Sequence, residues 1–154
     1  MTFEELFTVA DIKDVSIMQK NINDDVIATL LQNVKEIEFL PLFKNNFFED
    51  FLQRWADGTQ TTHDIQLKHY MLLYITKCIE YRAVTTLTYQ IRASGIVSMN
   101  AENAVRVSDT ERKTLLDQLN SDKEFHKHMM IKFINNYYQG FATTSKAFKN
   151  FDIL

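Results

Sequence analysis

The sequence predicts an all-α protein, a bundle of four to five helices around one long central helix. A short loop or β-hairpin excursion near residues 96–107 and extended terminal arms complete the expected outline. Three observations carry this prediction. Glycine and proline are scarce, with 3 and 1 among 154 residues, which favours long regular elements over a many-turned β-sandwich or a disordered chain. Apolar residues recur at helical spacing in successive stretches. A helical pattern of more than thirty residues, Thr62–Ser94, runs on until Gly95.

Residues 1–20, MTFEELFTVADIKDVSIMQK, are mixed and weakly periodic, and read as an N-terminal arm with at most one helical turn. A first clear helix is predicted from Asn23 or Asp24, a good cap type with acid in the first turn. Its apolar positions Val26, Ile27, Leu30, Leu31, Val34 and Ile37 follow the i, i+3, i+4, i+7 rule. Pro41 should end or kink it, because proline lacks an amide donor and disfavours helix in the residue before it. Asn45 or Asn46 opens a second, shorter helix with the stripe Phe47, Phe48, Phe51, Leu52 and Trp55, stopped at Ala56-Asp57-Gly58.

The long third helix takes Thr61 or Thr62 as its cap. Its expected apolar edge is Ile65, Leu72, Ile75, Ile79, Ala83, Leu87 and Ile91, flanked by Leu67, Met71 and Val84, and Gly95 supplies the end. Ile96–Val107 reads as a loop or as a small hairpin around Asn100-Ala101-Glu102-Asn103. Ser108 and Glu111 have capping-box spacing, and Ser121 and Glu124 repeat it. A fourth helix near Asp109–Leu119 and a fifth near Asp122–Tyr138, closed by Gly140, are therefore expected. The resulting organisation is an arm at 1–20, a helical domain at 21–140 and a tail at 141–154. The tail, FATTSKAFKNFDIL, holds Phe141, Phe148 and Phe151 but no helical repeat sustained enough to fold alone. It should either fold back on its own domain or lay its aromatic anchors across a neighbour.

The totals bound the function. One domain is the default at this length. A formal net charge of −3 gives no electrostatic reason for tight binding to nucleic acid or anionic lipid. Cys78 is the one cysteine; lying in an apolar helical stretch, it reads as a small buried hydrophobe in a reducing compartment. The longest apolar run, Tyr70–Ile75, is far short of the roughly 20 residues that span a bilayer. MTFEELF carries two acids and no basic region, so synthesis in the cytosol without a signal peptide is expected.

Catalytic and metal signatures fare poorly. A di-iron bundle needs Glu-x-x-His on two helices, and none of His63, His69, His126 or His128 has an acid three residues before it. Asp122–His126 and Glu124–His128 are i, i+4 pairs that read as solvated side chains rather than a metal site. The glycines stand apart at 58, 95 and 140, so no phosphate loop can form, and no Gly-x-Ser-x-Gly elbow occurs. No enzyme activity, cofactor or metal is expected. His69, Lys77, Arg82 and Arg92 are spread along the third helix rather than clustered as on a recognition helix. A small helical DNA-binding or regulatory protein is the alternative reading.

Three strings carry a family resemblance: Asp24–Leu42 (DDVIATLLQNVKEIEFLPL), Phe48–Gly58 (FEDFLQRWADG) and above all Tyr81–Ser108 (YRAVTTLTYQIRASGIVSMNAENAVRVS). In layout from Asn21 to Tyr138 the chain resembles the head–tail connector (adaptor) proteins of tailed bacteriophages, most closely the ring-forming connectors of crAss-like phages. Its corner, Arg92-Ala93-Ser94-Gly95-Ile96, has isoleucine where that pattern has valine, and the Phe-rich tail has no counterpart in it. The resemblance implies a structural virion protein at the head–tail interface of the capsid vertex, made in the host cytoplasm. Copies would form a twelvefold ring beneath the portal protein and meet further connector or tail proteins. DNA would pass through the channel without sequence-specific binding, and no membrane would be involved. The expected subunit interface comprises Glu80, Arg82, Thr85, Gln90 and Arg92 on the polar edge of the third helix. Asn100, Glu102 and Arg106 in the excursion join it, with Phe141, Phe148 and Phe151 in the tail.

Overall fold

A computed structural model describes residues 1–18, 22–44, 46–93 and 109–138, and every regular element among them is helical. In chain order these are α1 (Phe3–Leu6), α2 (Val9–Val15), α3 (Asp24–Val34), a π-turn (Lys35–Phe39), a 3-10 turn (Leu40–Leu42), α4 (Phe47–Ala56), α5 (Thr62–Ala93) and α6 (Asp109–Tyr137). The all-α bundle with one long central helix is as expected: α5 packs along α6 and also meets α2, α3 and the π-turn. The 96–107 excursion, the Gly95 and Gly140 stops and the 141–154 tail lie outside the described residues.

The N-terminal segment differs from its expected extended form. Thr2 accepts a hydrogen bond from the Glu5 amide at 3.2 Å while the Glu5 carboxylate accepts from the Thr2 amide at 2.6 Å. Thr8 and Asp11 repeat that reciprocal cap at the start of α2. Each box satisfies two amides that a short helix would leave orphaned. The helices then bury Phe3, Leu6, Phe7 and Ile12 in the common core, about 1.5–3 kcal/mol apiece for side chains of this size. The ion pairs Lys13–Asp24 and Lys35–Glu4 tie the segment to α3 and to the π-turn.

Asn23 caps α3 by accepting from the Asp25 amide at 2.9 Å. Ile27, Leu30, Leu31 and Val34 are buried as their spacing requires, but Ile37 is 61% exposed. The π-turn is the cause. Its wider ring inserts an extra residue into the repeat, so the core position after Val34 falls on Phe39 and Ile37 turns outward. Pro41 then occupies the first turn of the 3-10 segment, where its missing amide is harmless. Phe39 thereby reaches the middle of an aromatic cluster, its ring 4.9–6.1 Å from those of Phe3, Phe7, Phe43 and Phe48. Phe47, Phe48 and Phe51 of α4 complete this core, and Gly58, at φ +67°, supplies the left-handed residue after α4.

Helix α5 buries Leu67, Met71, Leu72, Tyr74, Ile75, Cys78, Ile79 and Ala83, a wider band than the expected edge and rotated from it, since Ile65 is 55% exposed. The side chains of Leu87 and Ile91 lie outside the described residues. The expected break near Asn120 does not form: α6 is continuous from Asp109 to Tyr137. Without proline or glycine to interrupt the amide ladder, Ser121 has no orphan amide to cap. Leu119, Met130, Ile131 and Ile134 face inward on either side of the expected break.

The π-turn sets up an opposed pair of outcomes. Phe39→Ala should lower the unfolding free energy by about 3–5 kcal/mol in urea titration, while Ile37→Ala two residues away should stay within about 0.5 kcal/mol.

Candidate functional site

Three carboxylates tie the bundle together along α5. Asp64, fully buried, sits at the third position of α5, where Thr61 caps the helix. One of its oxygens accepts from the Thr61 amide at 2.8 Å and the Thr61 hydroxyl at 3.0 Å. The other accepts from the Arg54 guanidinium at 2.7 Å and the Tyr138 hydroxyl at 2.9 Å. This single group joins the end of α4, the start of α5 and the residue after α6. Burial works against its charge, but the hydrogen bonds from Arg54, Thr61 and Tyr138 prevail and bring its pKa to about 2. Burial and the bond to Asp64 push the Tyr138 phenol upward, so both partners keep the ionisation states that the contact needs.

Glu80 is 2% exposed and accepts from the Ser16 hydroxyl and the Ile17 amide, each at 2.9 Å, with Lys77 2.9 Å from its second oxygen. It fastens the chain leaving α2 to the middle of α5. Glu38, projected from the π-turn, accepts from Arg82 Nε at 2.6 Å and from Lys123 Nζ at 3.4 Å, joining the π-turn, α5 and α6. Burial opposes its charge as well, and the Arg82 bond with the Lys123 charge holds its carboxyl below the ordinary range. Lys123 also lies 4.9 Å from the Tyr81 ring centroid. Cys78, buried beside Glu38 and Tyr74, has its thiol pushed up by burial and then by the Glu38 charge, which makes it a poor nucleophile.

These contacts place the expected interface residues. Glu80 lies inside its own chain with its carboxylate satisfied there, because a carboxylate facing the α2 exit offers a free amide its acceptor; it is not surface. Arg82 turns to Glu38, and the Thr85 hydroxyl donates back to the Tyr81 and Arg82 carbonyls at 3.2 and 2.9 Å. The backbone of Gln90 and Arg92 belongs to α5, but their side chains lie outside the described residues, as do Asn100, Glu102, Arg106, Phe141, Phe148 and Phe151 entirely.

The surface instead exposes apolar side chains that sequence reading placed elsewhere or passed over. Ile17, after α2, and Ile37, in the π-turn, are 71% and 61% exposed. Ile65, Phe125 and Tyr137 are 55%, 59% and 52% exposed on the α5–α6 pair. Between α5 and α6 runs an open groove of about 570 Å³ lined by Ile65, Gln66, His69 and Tyr70 on one wall and Met129, Lys132, Phe133, Asn136 and Tyr137 on the other. His63 stacks on Tyr137 at 4.4 Å, and Tyr70 meets Phe133 at 5.1 Å, fixing the groove's aromatic floor. His126, nearby on α6, has its pKa lowered by burial and then by the charge of Lys77. Phe125, an apolar residue in a charged run of α6, was the signal available in sequence.

Among the described residues no cluster of three or more His, Cys, Asp or Glu is arranged to hold a metal ion, and no helix is long and apolar enough to cross a membrane. A sequence family described as a family of unknown function, DUF6712, matches residues 39–149. The chain belongs to this family. The match takes in α4, α5, the 94–108 connection, α6 and most of the tail, and therefore both walls of the groove. No curated protein and no solved structure matches the chain.

The Asp64 tie has a pH signature. A carboxyl at about 2 in the folded chain, against an ordinary 3.8, contributes stability that is present above the unfolded value and lost as pH falls through the folded one. Asp64→Asn should destabilise at pH 7. Measured by urea unfolding, the gap between wild type and the variant should narrow by up to about 2 kcal/mol between pH 5 and pH 2.

Proposed function

We propose that this chain is a structural virion protein, a head–tail connector subunit that assembles into a ring between portal and tail and extends the DNA channel. The carrying observation is that large apolar side chains stand exposed on several elements, Ile17 after α2, Ile37 in the π-turn, Ile65 on α5, and Leu115, Phe125 and Tyr137 on α6. A ring needs heterologous contacts, in which one patch of a subunit meets a different patch of the next, and closure follows when the rotation per copy divides a full turn. The three resembling strings support the same reading, and the third of them runs from α5 into the 94–108 connection. A net charge of −3 suits a channel through which DNA slides, since a strongly cationic lining would grip phosphates. In this reading the subunit acts by geometry and touches portal, its own copies and tail-side components.

The purified protein should run as a monomer or weak oligomer in light scattering and form rings visible by negative-stain microscopy once portal protein is added. Ile17→Asp with Ile37→Asp should abolish those rings while leaving folding stability within about 1 kcal/mol, since both side chains are exposed. Tight DNA binding at moderate salt in a gel shift, without rings, would overturn the connector reading in favour of a DNA-binding protein.

A further inference from the structure

We propose that the α5–α6 groove is the docking site of this chain's own tail, residues 141–154. The groove is open, and three large apolar side chains on or beside it, Ile65, Phe125 and Tyr137, are more than half exposed. Phe125 continues the line of Met129, Lys132 and Asn136 along α6 at helical spacings of four, three and four. From Phe125 to Asn136 that line is about 17 Å long at the helical rise.

The tail matches it in pattern and in length. Phe141, Phe148 and Phe151 are seven and three apart, so any helix formed there carries the three rings on one stripe, at a and d positions of a heptad. Those rings span about 15 Å along such a helix. Lys146, Lys149 and Asn150 fall off the stripe, where a docked helix meets water. Taken alone the segment is too short to hold helical structure in water, and it needs an apolar groove to do so.

Connection length favours the chain's own groove over a neighbour's. Tyr138, pinned to Asp64 by its hydroxyl, marks where the chain leaves α6 at the groove's Tyr137 end. Only Gln139 and Gly140 separate it from Phe141, and a connection that short normally joins antiparallel neighbours. A tethered segment also meets its site at millimolar effective concentration. In the isolated subunit the tail would cover the apolar side chains of α5–α6, and a ring contact through that face would have to displace it.

The test is photo-crosslinking in the full chain. Phe148 is replaced by p-benzoylphenylalanine, light and heavy isotopic copies are mixed and irradiated, and the crosslinked peptides are mapped by mass spectrometry. Crosslinks to the Ile65–Tyr70 or Phe125–Tyr137 segments within one isotopic copy are expected. Ile65→Asp, which puts a charge in the groove wall, should cut their yield at least about fivefold while circular dichroism still reports the folded helical bundle. Crosslinks to other segments, no crosslinks, or a yield untouched by Ile65→Asp would overturn the assignment. Mixed light–heavy crosslinks would also overturn it, giving the groove to a second copy's tail.

Discussion

A carboxylate removed from water must find donors inside the fold, or the charge costs several kcal/mol. Asp64, Glu80 and Glu38 each meet that demand with groups from different parts of the chain, and together they determine how the bundle is held. Asp64 gathers the end of α4, the cap of α5 and Tyr138. Glu80 takes the backbone leaving α2, and Glu38 brings the π-turn against α5 and α6. Hydrophobic burial alone would let the long α5 slide or turn against its neighbours at modest cost. Each of these bonded groups accepts one axial position and one rotation.

That use of polar residues changes where contact with other molecules can occur. Glu80 and Arg82 resemble a recognition edge when α5 is drawn as an isolated cylinder. In the folded chain they serve internal joints, and Thr85 bonds to its own helix. Several apolar and aromatic side chains instead face outward, among them Ile17, Ile37, Ile65, Phe125 and Tyr137. A surface of that kind gains little from long-range charge and much from shape and dehydration, which is the character of an assembly contact.

Much of the fold could be read from local pattern. Asn23 as a cap, the 3-10 turn that holds Pro41, the stop at Gly58 and the unbroken run from Thr62 are all set by a few neighbouring residues. The N-terminal helices were also written locally, in Thr2–Glu5 and Thr8–Asp11, but their weak periodicity hid them because four- and seven-residue helices are too short to show a repeat. Ser121–Glu124 shows the converse: capping spacing inside a continuous helix has no orphan amides to serve. Long-range pairing was beyond reach. Nothing near Glu38 in sequence announces Arg82 or Lys123, so the candidate surface could not be separated from the internal ties until the helices were placed.

The widened turn at Lys35–Phe39 bears on how much variation this stretch can absorb. Removing Glu36 or Ile37 would return the turn to ordinary α pitch and place Phe39 four positions after Val34, still on the face that meets the core. Leu40–Leu42 and α4 would keep their phase, with Phe48 still able to reach Phe3, whose ring lies 5.8 Å away. A further residue added there has no such outlet, because the turn already carries its extra position. Loss of one residue is thus easier to absorb in this segment than gain of one.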